Sequence, residues 1–371
     1  MLRAALIGFP SSGKSTLFQL MTSATGDVAI GISKVPDARL DVLTAMYNPR
    51  KRVPATVEFT DTPPHRAGVR GGGPGLAGAP GGAGVQALVD VAGYKNADAL
   101  VHVLRSFRDP AVAHPSGSID PARDAQAMED ELILADLGVA ERRLERIEKD
   151  LKKGKSADLD KERQLVERCR AALEEGTPLR TLELTGEDRR LLRGFQFLSA
   201  KPLLLVINVD EEDVADVGAS VERAAAKTGL TAFLAHAATK AVALCAKIEL
   251  EIAQLEGADA TAFLADLGLT ESGLDRVIRT TYDLLGYMSF FTVGEDECRA
   301  WSIARATPAQ LAAGEIHSDI QRGFIRAEVV AYGALTTRGS MAACREHGEV
   351  RLEGKEYVVQ DGDIINFRFA T

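Results

Sequence analysis

Continuous apolar runs alternate with helix-like repeats along the first 286 residues of the chain. The runs at 4–7 and 203–207 are apolar throughout, which is typical of strands buried on both faces of a sheet. Residues 97–105 form another strongly apolar strand, whereas 56–60 alternate in polarity as a half-buried strand does. Strands that alternate with helices predict an α/β fold, with a mostly parallel sheet and helices on both of its faces.

Helix signals fall between these strands. Asp37 can cap a helix that ends before Pro49, because the apolar residues between them have helical spacing. We predict a plain connection over 22–35, a further strand near 230–234, and helical structure over 258–286.

A seam of apolar residues predicts a helical arm over 127–177. The seam repeats at spacings of three and four residues on both sides of a lysine-rich break at 152–156, and polar Glu162 occupies one of its positions. Two helices joined by a short tip are typical of an antiparallel coiled coil. Such an arm suggests a binding partner, and a helical hairpin packed on its own domain is the alternative.

The pattern changes near Gly286, where short β segments and turns begin. Residues 290–293, 324–329 and 364–367 have β patterns, and turns such as Asp361-Gly362-Asp363 separate them. Residues 287–371 are therefore predicted to form a small α+β domain.

Candidate chemistry begins at 8–16, where the spacing G-x-x-x-x-G-K-S/T lies between a predicted strand and a predicted helix. Gly8 and Gly13 let the main chain turn tightly beside phosphate oxygens, and N–H groups at the helix start face the anion. Lys14 can reach the β- and γ-phosphates, and the Ser15 hydroxyl can ligate Mg²⁺. A chance glycine turn would lack this strand and helix context. The motif predicts a nucleoside triphosphate without identifying its base.

Asp61 follows the strand at 56–60, at a strand end where α/β sheets place ligand-binding groups. Downstream of a phosphate loop such an Asp can hold Mg²⁺, usually through water, and a turn residue is the alternative. The glycine-rich segment 68–84 lies where a nucleotide-sensing switch would lie, although a plain flexible loop has the same composition. His102 fits a core histidine better than a ligand.

Composition narrows the class of protein. A hydrophobic content of 46% and a charged content of 26% are typical of a soluble globular protein. Without an apolar run of 18 residues we expect no membrane span, and we expect no membrane as a partner. The four cysteines are far apart and form no C-x-x-C, which indicates reduced thiols in the cytoplasm. A net charge of −9 argues against a broad nucleic-acid-coating surface but leaves room for local basic patches.

Two polar stretches complete the order of motifs found in GTPases: Asn208-Val209-Asp210-Glu211 and Cys245-Ala246-Lys247. In such proteins an N-K-x-D motif identifies the base, because its Asp accepts two hydrogen bonds from guanine. Here no Lys follows Asn208, and the longer Glu211 replaces the Asp. We therefore expect ATP, or weak discrimination between ATP and GTP.

Eight stretches, one of them the 208–211 motif, carry a resemblance to a known family. They are 35–40 (VPDARL), 54–59 (PATVEF), 131–137 (ELILADL), 208–211 (NVDE), 246–249 (AKIE), 313–319 (AGEIHSD), 323–329 (GFIRAEV) and 358–363 (VVQDGD). Together they resemble the YchF, or Obg-like ATPase, family over nearly the whole chain. The resemblance implies a GTPase-type P-loop NTPase domain over 1–126 and 178–286, a coiled-coil arm over 127–177 and a ubiquitin-like TGS domain over 287–371. It also implies hydrolysis of ATP, often with GTP accepted, and association with ribosomes or structured RNA without DNA sequence specificity.

Matching motifs imply roles for individual residues. The phosphates would be held by Ser11, Ser12, Gly13, Lys14, Ser15 and Thr16, and Mg²⁺ by Ser15 and Asp61. The base would be held by Asn208 and Val209, with Glu211, Cys245, Ala246 and Lys247 around it.

The chain departs from the family in the segments that surround the γ-phosphate. The family's F-P-F-x-T-I-x-P-N segment is shortened to 27–34 and lacks its threonine, a candidate second Mg²⁺ ligand. The family's D-x-x-G becomes Asp61-Thr62-Pro63-Pro64, and Pro64 has no N–H to sense the γ-phosphate. His65 follows, where the family carries an apolar residue. We hypothesise that His65 orients the attacking water, and weak hydrolysis is the alternative.

Three functions fit these motifs: an ATPase switch, a non-catalytic ribosome- or RNA-binding scaffold, and a P-loop kinase. The kinase is the least supported, because the sequence offers no basic lid for an acceptor phosphate. The lysines of the arm tip and Arg322, Arg326 and His317 in the C-terminal domain fit rRNA phosphates or ordinary solvated faces equally well.

Overall fold

The structure is a computed structural model that describes residues 2–23, 29–61, 91–154, 156–217 and 220–370. Its contacts divide the chain into two compact units, Met1–Gly31 with Glu58–Leu284 and Ile32–Val57 with Leu285–Thr371. In chain order the first elements are β1 Arg3–Ile7, α1 Lys14–Thr22, β2 Ile30–Lys34, α2 Ala38–Tyr47, β3 Lys51–Val53, β4 Thr56–Asp61, β5 Ala99–Arg105, α3 Pro121–Leu151, α4 Ala157–Glu174, α5 Gly186–Leu192, β6 Leu203–Asn208, α6 Val214–Val217, α7 Val221–Thr228, α8 Thr231–Leu234 and β7 Thr239–Leu244. They are followed by α9 Ala246–Ile252, α10 Ala258–Asp266, α11 Gly273–Leu284, β8 Tyr287–Thr292, β9 Glu297–Ala304, α12 Ala309–Ile316, α13 Ser318–Arg322, β10 Phe324–Ala331, α14 Tyr332–Arg338, α15 Met341–Glu346, β11 Arg351–Glu353 and β12 Asp363–Phe369.

The first sheet brings the candidate residues to one edge. Its strand order is β2-β4-β1-β5-β6-β7, and the last five strands of this order pair in parallel. Leu6 lies opposite Asp61, and Arg105 lies opposite Asn208. Because the carboxyl ends of parallel strands share an edge, the loops that follow β1, β4, β5, β6 and β7 meet there. The predicted α/β class with a mostly parallel sheet is confirmed.

Helix α3 belongs both to the core and to the arm. Asp120 caps its start by accepting a hydrogen bond from the N–H of Arg123 at 3.0 Å. The first half of α3 packs Met128 into the core below the first sheet, and the second half packs apolar side chains against α4. Glu162, the polar residue of the predicted seam, accepts two hydrogen bonds of 2.7 Å from Arg143. The segment is thus a pair of helices packed on each other, and its role as an arm that binds a partner stays a prediction.

Buried polar contacts join α3 to other segments of the first unit, to which it belongs. The carboxylate of Asp136 accepts hydrogen bonds from the N–H groups of Leu198 and Ser199 at 2.8 and 2.7 Å, and from the Ser199 hydroxyl at 2.7 Å. Burial raises the pKa of Asp136 to about 6, although these hydrogen bonds oppose the shift. Arg180 forms a second buried contact, an ion pair with Glu129.

The second unit includes a segment from near the start of the chain. Its sheet has the order β11-β10-β12-β8-β9-β3, so β3 joins strands that follow residue 285. Asp37 caps α2 as predicted, and Arg39 bonds to Asp37 at 2.9 Å and to Asp361 at 3.1 Å. The contacts thus group 32–57 with 285–371, whereas the sequence assigned 32–57 to the nucleotide-binding domain. The predicted domain boundaries therefore differ from this division by contacts, and they stay a prediction.

Two sequence predictions about local structure are wrong. The strand expected near 230–234 is the short helix α8, because Leu230 and Phe233 are buried three residues apart on one side. The strand is β7 instead, in the alanine-rich stretch where the sequence showed no β pattern. The connection expected over 22–35 contains β2, whose exposed edge position leaves no clear hydrophobic pattern.

The cysteines agree with the expectation of reduced thiols, since Cys169, Cys245, Cys298 and Cys344 are all buried and unbridged. Burial raises the pKa of Cys169 to about 11, which keeps this thiol protonated and unreactive near neutral pH. No helix within the described ranges combines the length and apolarity that crossing a bilayer requires.

His102 in β5 is expected to make the stability of the protein depend on pH. The side chain is 1% exposed, and burial lowers its pKa to about 3. In the unfolded chain its pKa returns to about 6.5, so below that pH the unfolded state binds a proton that the folded state does not. The free energy of unfolding should therefore decrease as the pH falls below about 6.5, by about 1.4 kcal/mol per pH unit from this group.

Urea unfolding of the wild type and of His102→Gln between about pH 7 and 5 measures this contribution. The difference between the two free energies should change with pH over that range, because glutamine does not titrate. Asp136 acts with the opposite sign, since its raised pKa removes stability as the pH rises toward 6, but it is present in both proteins and cancels. A difference independent of pH would contradict a neutral buried ring.

Candidate nucleotide-binding site

The loop between β1 and α1 has the geometry that a phosphate-binding loop requires. Gly8 has a φ of 148° and Gly13 a φ of 94°. A Cβ on Gly8 would lie 2.6 Å from the carbonyl oxygen of Val103, and one on Gly13 would lie 2.4 Å from Nδ2 of Asn208. Only glycine therefore fits at both positions. Gly13 is also the N-cap of α1, and no side chain among the described residues caps the first amides of the helix, so these amides are available to an anion.

A cavity of about 380 Å³ opens over this loop. Its lining comprises residues 8–16 together with Tyr94, Phe107, Asp109 and Val112. The sequence analysis missed the last four residues. Phe107 could have been found by the rule that found Asp61, since it follows β5, which lies beside β1 in the sheet. Its ring gives the cavity an aromatic wall, which suits a planar group.

Lys14 and Asp61 form a buried ion pair inside the site. The Lys14 ammonium lies 3.0 Å from Oδ1 of Asp61, and the two side chains are 8% and 10% exposed. Lys14 is the first residue of α1 and Asp61 the last residue of β4, so the pair joins the phosphate loop to the neighbouring strand. The N–H of Asp61 also donates to the carbonyl of Ala29 at 2.9 Å. The structure thus brings together the two residues to which the sequence assigned phosphate and metal contacts.

The loop carries groups that suit phosphate and Mg²⁺. The Ser12 hydroxyl is buried and has no hydrogen-bond partner among the described residues, which is unfavourable unless a ligand provides one. Ser15 is exposed in the first turn of α1, and Ser11 and Thr16 flank the same stretch. The Ser15 hydroxyl and the Asp61 carboxylate are oxygen ligands of the kind that Mg²⁺ prefers. The donor set therefore fits a magnesium–phosphate group.

Asn208 holds three loops together. Its Nδ2 donates to the carbonyl of Ser12 at 3.0 Å, and its Oδ1 accepts from the N–H of Ala246 at 3.0 Å. The side chain is 3% exposed, at the end of β6. The structure therefore uses this amide to position the phosphate loop, and its predicted contact with the base stays a prediction.

The remaining base-site candidates lie at the ends of β6 and β7. The Lys247 ammonium lies 2.7 Å from Glu211, whose hydrogen bond raises the pKa of Lys247. Val209 and Cys245 are buried in the hydrophobic core of the first unit, and burial raises the pKa of the Cys245 thiol. Val209 donates its N–H to the carbonyl of Leu244 at 2.8 Å. The structure brings the two motifs together, with their charged residues paired to each other.

His65, the candidate catalytic residue, lies outside the described residues, as do Pro64 and the glycine-rich segment 68–84. Its role stays a prediction from the sequence.

A glycine loop between β1 and α1, with Asp61 on the neighbouring strand and Asn208 behind the loop, defines a P-loop nucleotide-binding protein with a GTPase-type core. A family model described as a 50S ribosome-binding GTPase matches residues 3–134. A second model, named YchF-GTPase_C and described as a protein of unknown function, matches residues 287–370. The chain belongs to the YchF family, because relatives of that name are more than 30% identical over almost its entire length.

Two of these relatives are the ribosome-binding ATPase YchF of Bacillus subtilis, which is 43% identical, and that of Escherichia coli O157:H7, which is 36% identical. In both comparisons the alignment covers 99% of this chain and 99% of the relative. The solved structure of the Schizosaccharomyces pombe YchF GTPase is similar with a TM-score of 0.81 at 27% identity, covering 99% of this chain and 97% of that one. A GTP-binding protein from Pyrococcus horikoshii OT3, at 17% identity and a TM-score of 0.59, supports the fold alone.

Proposed function

We propose that the chain binds ATP together with Mg²⁺, hydrolyses it slowly, and acts as a switch that associates with ribosomes in the cytoplasm. The observation that carries the proposal is the buried Lys14–Asp61 pair beside the glycine loop. A buried cation and a buried carboxylate, placed where phosphate and metal are expected, can both find stronger partners in a magnesium nucleotide.

Binding would exchange the partners of this pair. The Lys14 ammonium would turn to the phosphates, and the Asp61 carboxylate would hold the metal together with Ser15, directly or through water. Mg²⁺, when bound, neutralises charge on the phosphate oxygens. Residues Ser11 to Thr16 would surround the phosphates with main-chain N–H groups, and the Ser12 hydroxyl would gain a partner.

The contacts at the base site favour adenine or weak discrimination. Glu211, at the guanine-reading position, is paired with Lys247, and Asp210 accepts the N–H of Arg108 at 2.9 Å. Reading guanine would require Glu211 to share or give up its contact with Lys247. The name of the Bacillus subtilis relative, a ribosome-binding ATPase, supports ATP, whereas the Schizosaccharomyces pombe structure is titled a GTPase. ATP with tolerance of GTP agrees with both.

Slow hydrolysis follows from the chemistry around the γ-phosphate. Pro64 has no N–H with which to sense that phosphate, and the shortened segment at 27–34 lacks the threonine that would be a second metal ligand. His65 offers a group that can orient the attacking water. A scaffold that binds nucleotide without hydrolysing it is the second candidate, and the Pro64 substitution is the observation that favours it.

Phosphate release from Mg-ATP and Mg-GTP, measured without an acceptor, tests the proposal. We expect slow release from ATP, a further decrease of about tenfold or more in His65→Ala, and little change in binding affinity. His317→Ala is a matched control, since His317 is exposed in the second unit. An unchanged rate in His65→Ala would remove this residue from the mechanism. Binding without any phosphate release would leave the scaffold as the function.

A further inference from the structure

A second cavity, of about 430 Å³, lies along the arm, between α3, α4 and the turn that follows α5. We call it the arm groove and define it by Arg142, Arg143, Arg146, Glu162, Gly194 and Phe195. All of these residues belong to the first unit, and none of them lines the cavity over the phosphate loop. The proposed nucleotide chemistry does not use them.

The arm groove carries two positive charges without a carboxylate partner. Arg143 is neutralised by Glu162 through two hydrogen bonds of 2.7 Å. Arg142 and Arg146 are exposed, and within the described parts of the chain neither forms an ion pair. Like charges one turn apart destabilise a helix, and the chain as a whole carries a net charge of −9. Arg146 acts on Asp150 only at longer range than an ion pair, and Asp150 is paired with Lys153. Two arginines outside any ion pair of the described residues, at this spacing, therefore suit an anionic ligand.

An aromatic ring completes the arm groove. Phe195 is half-buried: it packs against the hydrophobic cluster between α3 and α4 and stacks on Phe197, with ring centroids 5.1 Å apart, while it also lines the arm groove. Gly194 leaves the approach to the ring open, and a Cβ there would meet nothing within 4 Å. A positively charged groove that presents an aromatic ring is the arrangement with which proteins bind unpaired bases and their phosphates.

We propose that the arm groove binds an unstacked segment of RNA, with Arg142 and Arg146 on successive phosphates and a base against Phe195. The inference rests on the proposed ribosome association for the source of that RNA. An acidic peptide could use the two arginines, but it has no planar base to place against the exposed part of the Phe195 ring, so the observations favour RNA.

Binding of a fluorescein-labelled oligouridine of about twelve nucleotides to the full chain tests this proposal. Uracil is used because it keeps the probe from resembling ATP. The double variant Arg142→Gln/Arg146→Gln should bind about tenfold more weakly at about 100 mM salt, and the slope of log K against log salt should decrease by about 1.4, as for two lost phosphate contacts. Phe195→Leu should weaken binding about fivefold without changing that slope, because it removes stacking and keeps both charges.

The matched control is Arg163→Gln/Arg170→Gln, which removes the same charge from α4, where these arginines pair with Asp160 and Glu174. It should bind oligouridine like the wild type, and unchanged thermal unfolding of all variants would show that each is folded. Equal loss in both double variants would overturn the proposal, because the arm would then act only through its overall charge. Tight binding of polyglutamate with no effect of Phe195→Leu would also overturn it and indicate a protein partner.

Sedimentation with purified ribosomes separates this inference from the proposed function. If the wild type and Arg142→Gln/Arg146→Gln bind ribosomes equally well, the arm groove is not the RNA contact, although ribosome association holds. If oligouridine binding depends on the arm groove but the wild type does not bind ribosomes, the RNA site holds and the ribosome association fails.

Discussion

Lys14→Ala is expected to weaken the binding of Mg-ATP by about 10- to 150-fold, which corresponds to the loss of one charge-assisted contact. The ammonium is the buried cation nearest to where the phosphates are expected, and it pairs with Asp61 at 3.0 Å. No other side chain that lines the cavity over the phosphate loop is cationic, so no neighbour can replace it among the described lining residues. Isothermal titration calorimetry with Mg-ATP measures the loss.

Lys227→Ala is a suitable control, because Lys227 is half-exposed and pairs with Asp213 away from the phosphate loop. It should bind ATP like the wild type. If Lys14→Ala also retained the wild-type affinity, the phosphates would have to lie elsewhere, and the proposed function would lose its basis.

The same substitution should also destabilise the protein without nucleotide. It leaves the Asp61 carboxylate buried without a cation, which is more costly than removing both charges of the pair. Lys14→Ala/Asp61→Asn should therefore recover much of the thermal stability lost in Lys14→Ala but none of the ATP affinity. This opposite response of stability and binding distinguishes a ligand-binding pair from one that only supports the fold.

The parts of the site that can be predicted from the sequence are those formed by residues within a short stretch of the chain. The phosphate loop is recognised by glycines at a fixed spacing, and Asp61 is recognised by the strand that precedes it. Both can therefore be predicted from residues that are close together in the sequence. The parallel sheet follows for the same reason, because apolar runs that alternate with helices leave few other arrangements.

What the sequence could not predict depends on contacts between distant residues. The sequence around 32–57 gives no sign that this segment joins the strands that follow residue 285. The contacts that join them connect residues far apart in the sequence, such as Arg39 and Asp361, which are separated by more than 300 positions. Strand β7 is hidden because small alanines replace the larger residues that usually mark a buried strand.

Asn208 shows that a motif can be found in the sequence without revealing the hydrogen bonds that its side chain makes. The resemblance assigned it to the base, and the structure shows its amide bound to the Ser12 carbonyl and the Ala246 N–H. The spacing of a motif specifies where a side chain lies along the chain, whereas its hydrogen-bond partners depend on the loops that the fold brings beside it. The hydrogen bonds of Arg105 likewise depend on the fold, and because this residue belongs to no motif, the sequence offers no reason to select it.

Arg105 shapes the aromatic wall of the cavity over the phosphate loop. It is the last residue of β5 and is 3% exposed. Its Nε donates to the carbonyl of Phe107 at 3.2 Å, and its Nη2 donates to the carbonyls of Asp109 and Val112 at 3.4 and 2.9 Å. The guanidinium also lies 4.6 Å from the centre of the Phe107 ring. All three partners line the cavity, so Arg105 positions its aromatic wall.

Arg105→Lys is expected to weaken ATP binding about tenfold, because an ammonium cannot reproduce the planar fork that holds three carbonyls. Inorganic tripolyphosphate should bind the variant within about twofold of the wild type, since it needs only the phosphate loop. Competition between labelled ATP and each unlabelled ligand measures both affinities.

Arg123→Lys is the matched control, because Arg123 bonds to Ser118 and Asp124 beyond the cavity lining. It should leave both affinities unchanged. Equal weakening of ATP and tripolyphosphate in Arg105→Lys would mean that Arg105 supports the phosphate loop and the strand instead of the aromatic wall. A selective loss of ATP binding would show that buried Arg105, which binds carbonyl groups and forms no ion pair among the described residues, gives this cavity its preference for a nucleotide over a bare phosphate chain.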